Sequence, residues 1–288
     1  MSFSSDVKNE ICRKAPENPK YVLAEIYGFI RCCKQEESGE LALYTENKQV
    51  AARLAEDLLY CFGIIAQVST RYAAKHKRAH FTASLTSTED EKRLTKLINS
   101  FKVESDGGAA AMLRGAFLAS GTLTDPNKEY HLEFSTQSEA QSEYLCEKLA
   151  ALGIGAKAAI RQNQRIVYVK GREQIADFLG HIGAIQAYLA YTDVVIEKDM
   201  RNDANRQTNC DSANISKTVK AAGEQIAAIE KIKAANGSLP EELREIAQIR
   251  LENPELSLRE IGELLTPSLS RSGVNHRIKR LMELAAGL

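Results

Sequence analysis

The sequence predicts an α+β chain: a duplicated αββαββα domain followed by an all-α helix-turn-helix domain. Three observations lead there. Glu40 to Ile64 (ELALYTENKQVAARLAEDLLYCFGI) lies over Tyr130 to Ile154 (YHLEFSTQSEAQSEYLCEKLAALGI), with Tyr44 on Phe134, Thr45 on Ser135, Leu59 on Leu149 and Gly63 on Gly153. In both copies a period of two, the mark of a half-buried strand, changes to a helical period that stops at glycine. Toward the C-terminus, a basic run with no acid between Glu263 and Glu283 follows a tight turn.

The remaining elements follow in order. Each copy opens on a short helix, VLAEIYGFIRCC in the first and LRGAFLASG in the second. Ala24 and Gly28 are matched to Gly115 and Ala119, allowing one residue of slip. Small residues one helical turn apart permit close backbone approach, so the two copies are expected to pack through these helices. Packing of each helix on its own sheet is the alternative. After each copy's middle helix come two strands, AQVSTRY with HFTASL and AKAAIR with RIVYVK. Closing helices follow near TEDEKRLTKLINSF and GREQIADFLGHI.

Ile215, Val219, Ala222, Ile226 and Ile229 follow one another at four- and three-residue steps, which predicts one amphipathic helix from Ala213 to Asn236, a plain linker or a packing helix, closed by Asn236-Gly237. Before it, NRQTNCDSAN is rich in turn and capping residues and reads as a joint between the two halves, with Cys210 a packed thiol. Ser238 with Glu241 and Ser257 with Glu260 each have capping-box spacing. Leu258, Ile261 and Leu265 form the inner face of one short helix, and Val274, Ile278 and Leu281 that of the next. The predicted divisions are an N-terminal helix at 1–20, the duplicated domain at 21–195 (copies about 21–105 and 111–185), a linker helix at 196–237 and the helix-turn-helix domain at 238–288.

Composition limits the functions open to this chain. Its 288 residues suffice for two or three cores, and a formal net charge of zero puts any affinity for nucleic acid in local patches. The opening MSFSSDVKNEICRKAPENPK is charged throughout and does not read as a secretory leader, and no apolar run is long enough to span a bilayer. Six cysteines include only one close pair, Cys32 with Cys33, and none has zinc-ligand spacing. Reduced thiols in a cytoplasmic protein, without metal or cofactor, are the expectation.

The last helix carries the chemistry. Its spacing puts Ser272, Asn275, His276 and Lys279 outward, Arg271 at the start, and Arg277 and Arg280 on the flanks. Arg and Asn can bond base edges in a major groove, whereas Lys, Ser and a helix N-terminus hold phosphates. Arg271, Ser272, Asn275, His276 and Lys279 are therefore the base-edge or near-base candidates, with Ser257 and Ser270 at the two helix starts. Arg277 and Arg280 are the phosphate candidates. A solvated cationic face on a small bundle is the bland alternative. Equivalent hairpins of the two copies add Arg71, Lys75, Lys77 and Arg78, and Arg161, Arg165 and Lys170, as candidate phosphate contacts, with solvated hairpin tips the equal alternative.

The duplicated layout resembles the LAGLIDADG homing-endonuclease fold, and LRGAFLASG (Leu113 to Gly121) falls on its nine-residue signature. The resemblance implies a DNA-facing saddle of strands. In the nucleases the second acid of the signature holds a divalent metal between the halves, because hard cations require oxygen ligands. Here that acid's place is Ser120 in the second copy and Phe29 or Ile30 in the first, and neither Glu25 nor Asp125 substitutes simply.

Joined to a helix-turn-helix, such a domain resembles the WhiA family of bacterial DNA-binding regulators. SGVNHRIKRL, SLREIGELL, LRGAFLASGTLTDP with YHLEF, and NRQTNCDSAN carry that likeness. The resemblance implies a non-enzymatic transcriptional regulator of cell division, chromosome segregation or sporulation. It would act at the nucleoid on double-stranded DNA, alone or with transcription machinery or another regulator. The rival expectations are a metal-dependent endonuclease with its acids elsewhere, or a protein-interaction scaffold.

Overall fold

The computed structural model describes residues 2–15, 18–33, 42–72, 79–235 and 238–288, with only the backbone of Ala42, Arg71, Tyr72 and Ala79. Two compact units emerge, residues 1–198 and 199–288.

The first unit opens with α1 (Phe3–Cys12). Its first copy then runs α2 (Pro19–Cys32), β1 (Ala42–Thr45), α3 (Lys48–Phe62), β2 (Ala66–Tyr72), β3 (Ala79–Leu85) and α4 (Thr88–Ser100). The second copy runs α5 (Asp106–Ser120), β4 (Gly121–Leu123), β5 (Leu132–Thr136), α6 (Glu139–Ala151), β6 (Lys157–Arg161), β7 (Gln164–Val169) and α7 (Arg172–His181). Strand orders are β1-β3-β2 and β4-β5-β7-β6, all neighbours antiparallel. Two copies of one topology are therefore present, as the repeat predicts. Residues 34–41, which precede β1 as β4 precedes β5, lie outside the described residues.

Local chemistry sets the boundaries. Asn47, Ser87, Ser105 and Ser138 each accept a backbone N–H in the first turn of α3, α4, α5 and α6. Gly63 ends α3 in the left-handed region at φ 64°, where a side chain would be strained. Leu132, Phe134 and Thr136 alternate into the core from β5, and Phe117, Phe134 and Phe178 pack edge to face beneath that sheet.

The copies meet through α2 and α5, at a closeness only glycine allows. A Cβ on Gly28 would lie 1.9 Å from the Met112 carbonyl oxygen, and one on Gly115 would lie 1.8 Å from that of Glu25. These reciprocal contacts correct the correspondence of the leading helices. Gly115 minus Gly28 and Met112 minus Glu25 both give 87, so Gly28 matches Gly115 and Ala24 does not. The expected pairing is displaced by one helical turn. Both alignments keep the small residues on one face, which is why spacing alone chose wrongly.

A buried ion pair lies within α3, and its arginine also reaches the segment that follows α1. Arg53 Nε donates to Asp57 Oδ2 at 2.7 Å, and Arg53 also donates to the Lys14 carbonyl. Burial, the largest influence, pushes the Asp57 carboxyl from 3.8 to about 6 against the pull of Arg53. A raised carboxyl pKa contributes stability that is fully present below the unfolded value and lost as pH rises through the folded one. Asp57→Asn is therefore expected to flatten the fall in stability between pH 3.8 and about 6. Thermal melts of both proteins across that window test it; parallel profiles would refute the assignment.

The linker expectation needs correction. One helix, α8 (Ile185–Ala234), runs through the whole region, and NRQTNCDSAN is a helical stretch inside it, neither a turn nor a cap. Cys210 is exposed and not packed. Ile215 and Val219, on the apolar stripe, are 64% and 60% exposed, and burial of the stripe begins at Ala222. The Asn236-Gly237 stop lies outside the described residues.

In the second unit, α9 (Glu241–Glu252), α10 (Leu258–Leu264) and α11 (Arg271–Ala286) close a core with Ile229 and Ile232. Ser257 and Glu260 form their capping box. Ser238 and Glu241 do not: α9 starts after Pro240 without a side-chain cap.

Candidate nucleic-acid interface

Gly262 sets the turn between α10 and α11. A Cβ there would meet the Leu269 carbonyl oxygen at 2.1 Å, and Leu269 N–H donates to the Gly262 carbonyl at 2.9 Å. Ser270 then caps α11 by accepting from Gly273 N–H, and its hydroxyl lies 2.9 Å from that of Ser272. Val274, Ile278 and Leu281 are buried, fixing the helix's rotation. Arg271, Ser272, Asn275, His276 and Lys279 consequently stand exposed at three- and four-residue steps.

The other candidates have prior partners. Arg280 donates to Glu242 Oε1 at 2.7 Å and Arg277 to the Glu242 carbonyl at 3.2 Å, so α9 draws both to the side of α11. The Ser257 hydroxyl is engaged in its capping box. Sequence reasoning missed Arg250, which is 1% exposed and donates to the carbonyls of Asn253, Pro254 and Leu256. It holds the α9–α10 loop, and no pattern marks a lone helical arginine as a core residue.

The sheets divide the hairpin candidates. Side chains of Leu132, Phe134 and Thr136 point into the core, so residues of the opposite parity line the open face. By register, Lys157, Ala159, Arg161, Ile166 and Tyr168 share that face with Glu133. Lys170 reaches over the Tyr168 ring at 5.8 Å. Arg165 pairs with Thr136 and its guanidinium approaches Glu139 at 3.7 Å, so it belongs to the helix side. Arg161 and Lys170 therefore share the open face and Arg165 leaves it. In the first copy Arg71 pairs with His80 in register, while Lys75, Lys77 and Arg78 lie outside the described residues.

The corrected helix register also relocates the place of the missing acid. Counting back 87 from Ser120 reaches Cys33 at the end of α2; Phe29 and Ile30 lie up the helix. The Ser120 hydroxyl bonds to the Ala116 carbonyl at 3.5 Å. Burial pushes the Cys33 thiol up to about 12, so it stays protonated at neutral pH and is a poor ligand for a hard cation. Glu25 is buried and accepts from Arg114 Nε at 2.7 Å. Among the described residues no cluster of His, Cys, Asp and Glu suits a metal ion.

Comparison with known proteins agrees along the chain. A family model described as the WhiA LAGLIDADG-like domain matches residues 109–201, and one described as the WhiA C-terminal HTH domain matches 204–285. A probable cell division protein WhiA of Alkaliphilus oremlandii is 39% identical over 313 residues, covering 100% of this chain and 98% of the relative. Its namesake in Desulfitobacterium hafniense is 37% identical over 309 residues, covering 100% and 96%. The crystal structure of full-length DUF199/WhiA from Thermatoga maritima superposes with a TM-score of 0.64 at 27% identity, covering 100% of this chain and 99% of that one. A duplicated LAGLIDADG-like domain, a helix-turn-helix region and relatives aligned end to end together show that this chain belongs to the WhiA family.

Proposed function

We propose that this protein is a non-catalytic, sequence-specific DNA-binding regulator of transcription, acting in cell division as its relatives' names suggest. The observation that carries the reading is the open face of α11, where Arg271, Ser272, Asn275, His276 and Lys279 project together from a helix pinned by its core. A helix N-terminus with these side chains suits a major groove: Arg271 and Asn275 reach base edges, and Ser270, Ser272 and Lys279 hold the backbone. Arg161 and Lys170 on the open sheet face add contacts to phosphates. Glu133 on the same face limits how much charge that surface supplies. Cleavage chemistry is not part of the proposal, because Ser120 and protonated Cys33 stand where metal-binding carboxylates would be required.

Selection of bound duplexes from a random pool with the whole protein tests this reading. A short motif is expected. Asn275→Ala should lose about 1–3 kcal/mol of discrimination at one base pair. Lys170→Ala should weaken all duplexes alike and reduce the salt slope by about one. Site preference that survives both Asn275→Ala and Arg271→Ala would remove α11 as the reader.

A further inference from the structure

The pseudo-two-fold axis between the copies relates two grooves beside the α2–α5 pair, and one of them is filled by the chain itself. α1 occupies it. Val7 and Ile11 are buried there, with Phe3 partly buried one turn before. Its polar contacts mark the walls: Lys8 donates to the Leu118 carbonyl at 3.2 Å, Asn9 accepts from Asn47 at 2.8 Å, and Lys14 donates to the Gly183 carbonyl just after α7.

Each wall has a counterpart across the axis. Leu118 on α5 corresponds to Arg31 on α2 by the offset of 87 that the glycines fix, and Asn47 corresponds to Gln137 by the offset of ninety in the strand-to-helix turn. The end of α7 corresponds to the end of α4, at Ile98 and Asn99. These counterparts line one groove of about 660 Å³ between α4 and α6, floored by α2 and α5. Nothing among the described residues plays the part of α1 there.

The charge of the groove differs from its mate's, and the difference points to the occupant. Lys8 satisfies a helix-end carbonyl in the filled groove. In the other, the Arg31 and Cys33 carbonyls already accept from the side chains of Gln141 and Gln137. An occupant needs no cation at that point. Arg31 lies over the Tyr27 ring at 5.3 Å, the Ser138-capped N-terminus of α6 stands beside it, and among the described residues no carboxylate lines the groove. We propose that the groove between α4 and α6 docks a short acidic amphipathic helix of a partner protein, with apolar residues spaced as Phe3, Val7 and Ile11 are and a carboxylate directed at Arg31.

The test uses a labelled peptide copying residues 2–14 with Lys8→Glu, titrated against the full chain by fluorescence anisotropy. Binding in the range of about 10–100 μM is expected. Thr95 and Ala140 are exposed wall residues, so Thr95→Trp and Ala140→Trp fill the groove while leaving the core intact. Each should weaken the peptide at least about tenfold, and Arg31→Ala about fivefold. Melting temperatures of the variants, matched to the parent, show that folding is not the cause. Absence of binding at 1 mM peptide, or binding unchanged by both tryptophans, overturns the proposal; the second result includes exchange of the peptide with α1. A chain that dimerises through this groove, with dimerisation lost in Thr95→Trp, assigns it to a second copy and likewise overturns the partner helix. DNA affinity plays no part in the outcome, so this inference and the regulatory reading fail separately.

Discussion

Gly115→Ala is expected to cost the duplicated domain about 3 kcal/mol or more, a large share of the stability of an ordinary domain. The new methyl would lie 1.8 Å from the Glu25 carbonyl oxygen and 2.9 Å from Phe29 N, both backbone atoms of α2. Relief therefore requires the two helices to separate, carrying Phe29 and Phe117 out of their packing. Gly28→Ala meets the Met112 carbonyl from the other side at 1.9 Å and should act alike. Gly223→Ala supplies the control. That glycine lies exposed in α8 with open space around it, and the same substitution should stabilise the helix by about 0.5–1 kcal/mol. Chemical denaturation of all three variants checks the set. A Gly115→Ala protein within about 1 kcal/mol of the parent would show that α2 and α5 are not pressed backbone to backbone.

Arg250→Met is expected to destabilise the second unit by about 3 kcal/mol and to abolish selective DNA binding without altering any residue of α11. The guanidinium donates to Leu256 O at 2.7 Å and, more loosely, to Pro254 O at 3.3 Å and Asn253 O at 3.4 Å. Burial lowers its pKa, so the site already carries the strain of an enclosed charge. Removing the charge also removes the donors, and three loop carbonyls lose their partner ahead of α10. Native-state hydrogen exchange locates the effect: α9–α11 amides should lose protection while α2 and α5 keep theirs. Unchanged protection in α9–α11 would mean that the loop holds its shape without the arginine.

These two positions differ in how far the sequence discloses them. The strand-to-helix switch and the glycine stops are written at periods of two and 3.6 and depend only on neighbours a few residues away, and the duplication is their recurrence ninety residues on. For the same reason Val274, Ile278 and Leu281 already imply the outward set from Arg271 to Lys279. Capping boxes are less secure, since they need geometry as well as spacing. Ser257 and Glu260 form theirs, whereas Pro240 begins α9 without help from Ser238.

What the tertiary structure alone decided depends on contacts between distant residues. Register between α2 and α5 is one case: a helix face repeats every turn, so Ala24 and Gly28 are equally good by spacing, and only the carbonyls of Glu25 and Met112 choose between them. Arg250 is another, because its partners depend on how the following loop folds back. The exposure of Ile215 and Val219 in an uninterrupted α8 is a third, since a periodic apolar stripe tells what a helix can bury and not whether anything lies against it. Local pattern and repetition suffice for the elements, the duplication and the chemistry of the last helix. Packing decided which of those side chains stand free, because Glu242 engages Arg277 and Arg280 from thirty-five and thirty-eight residues away and leaves Arg271, Asn275 and Lys279 open.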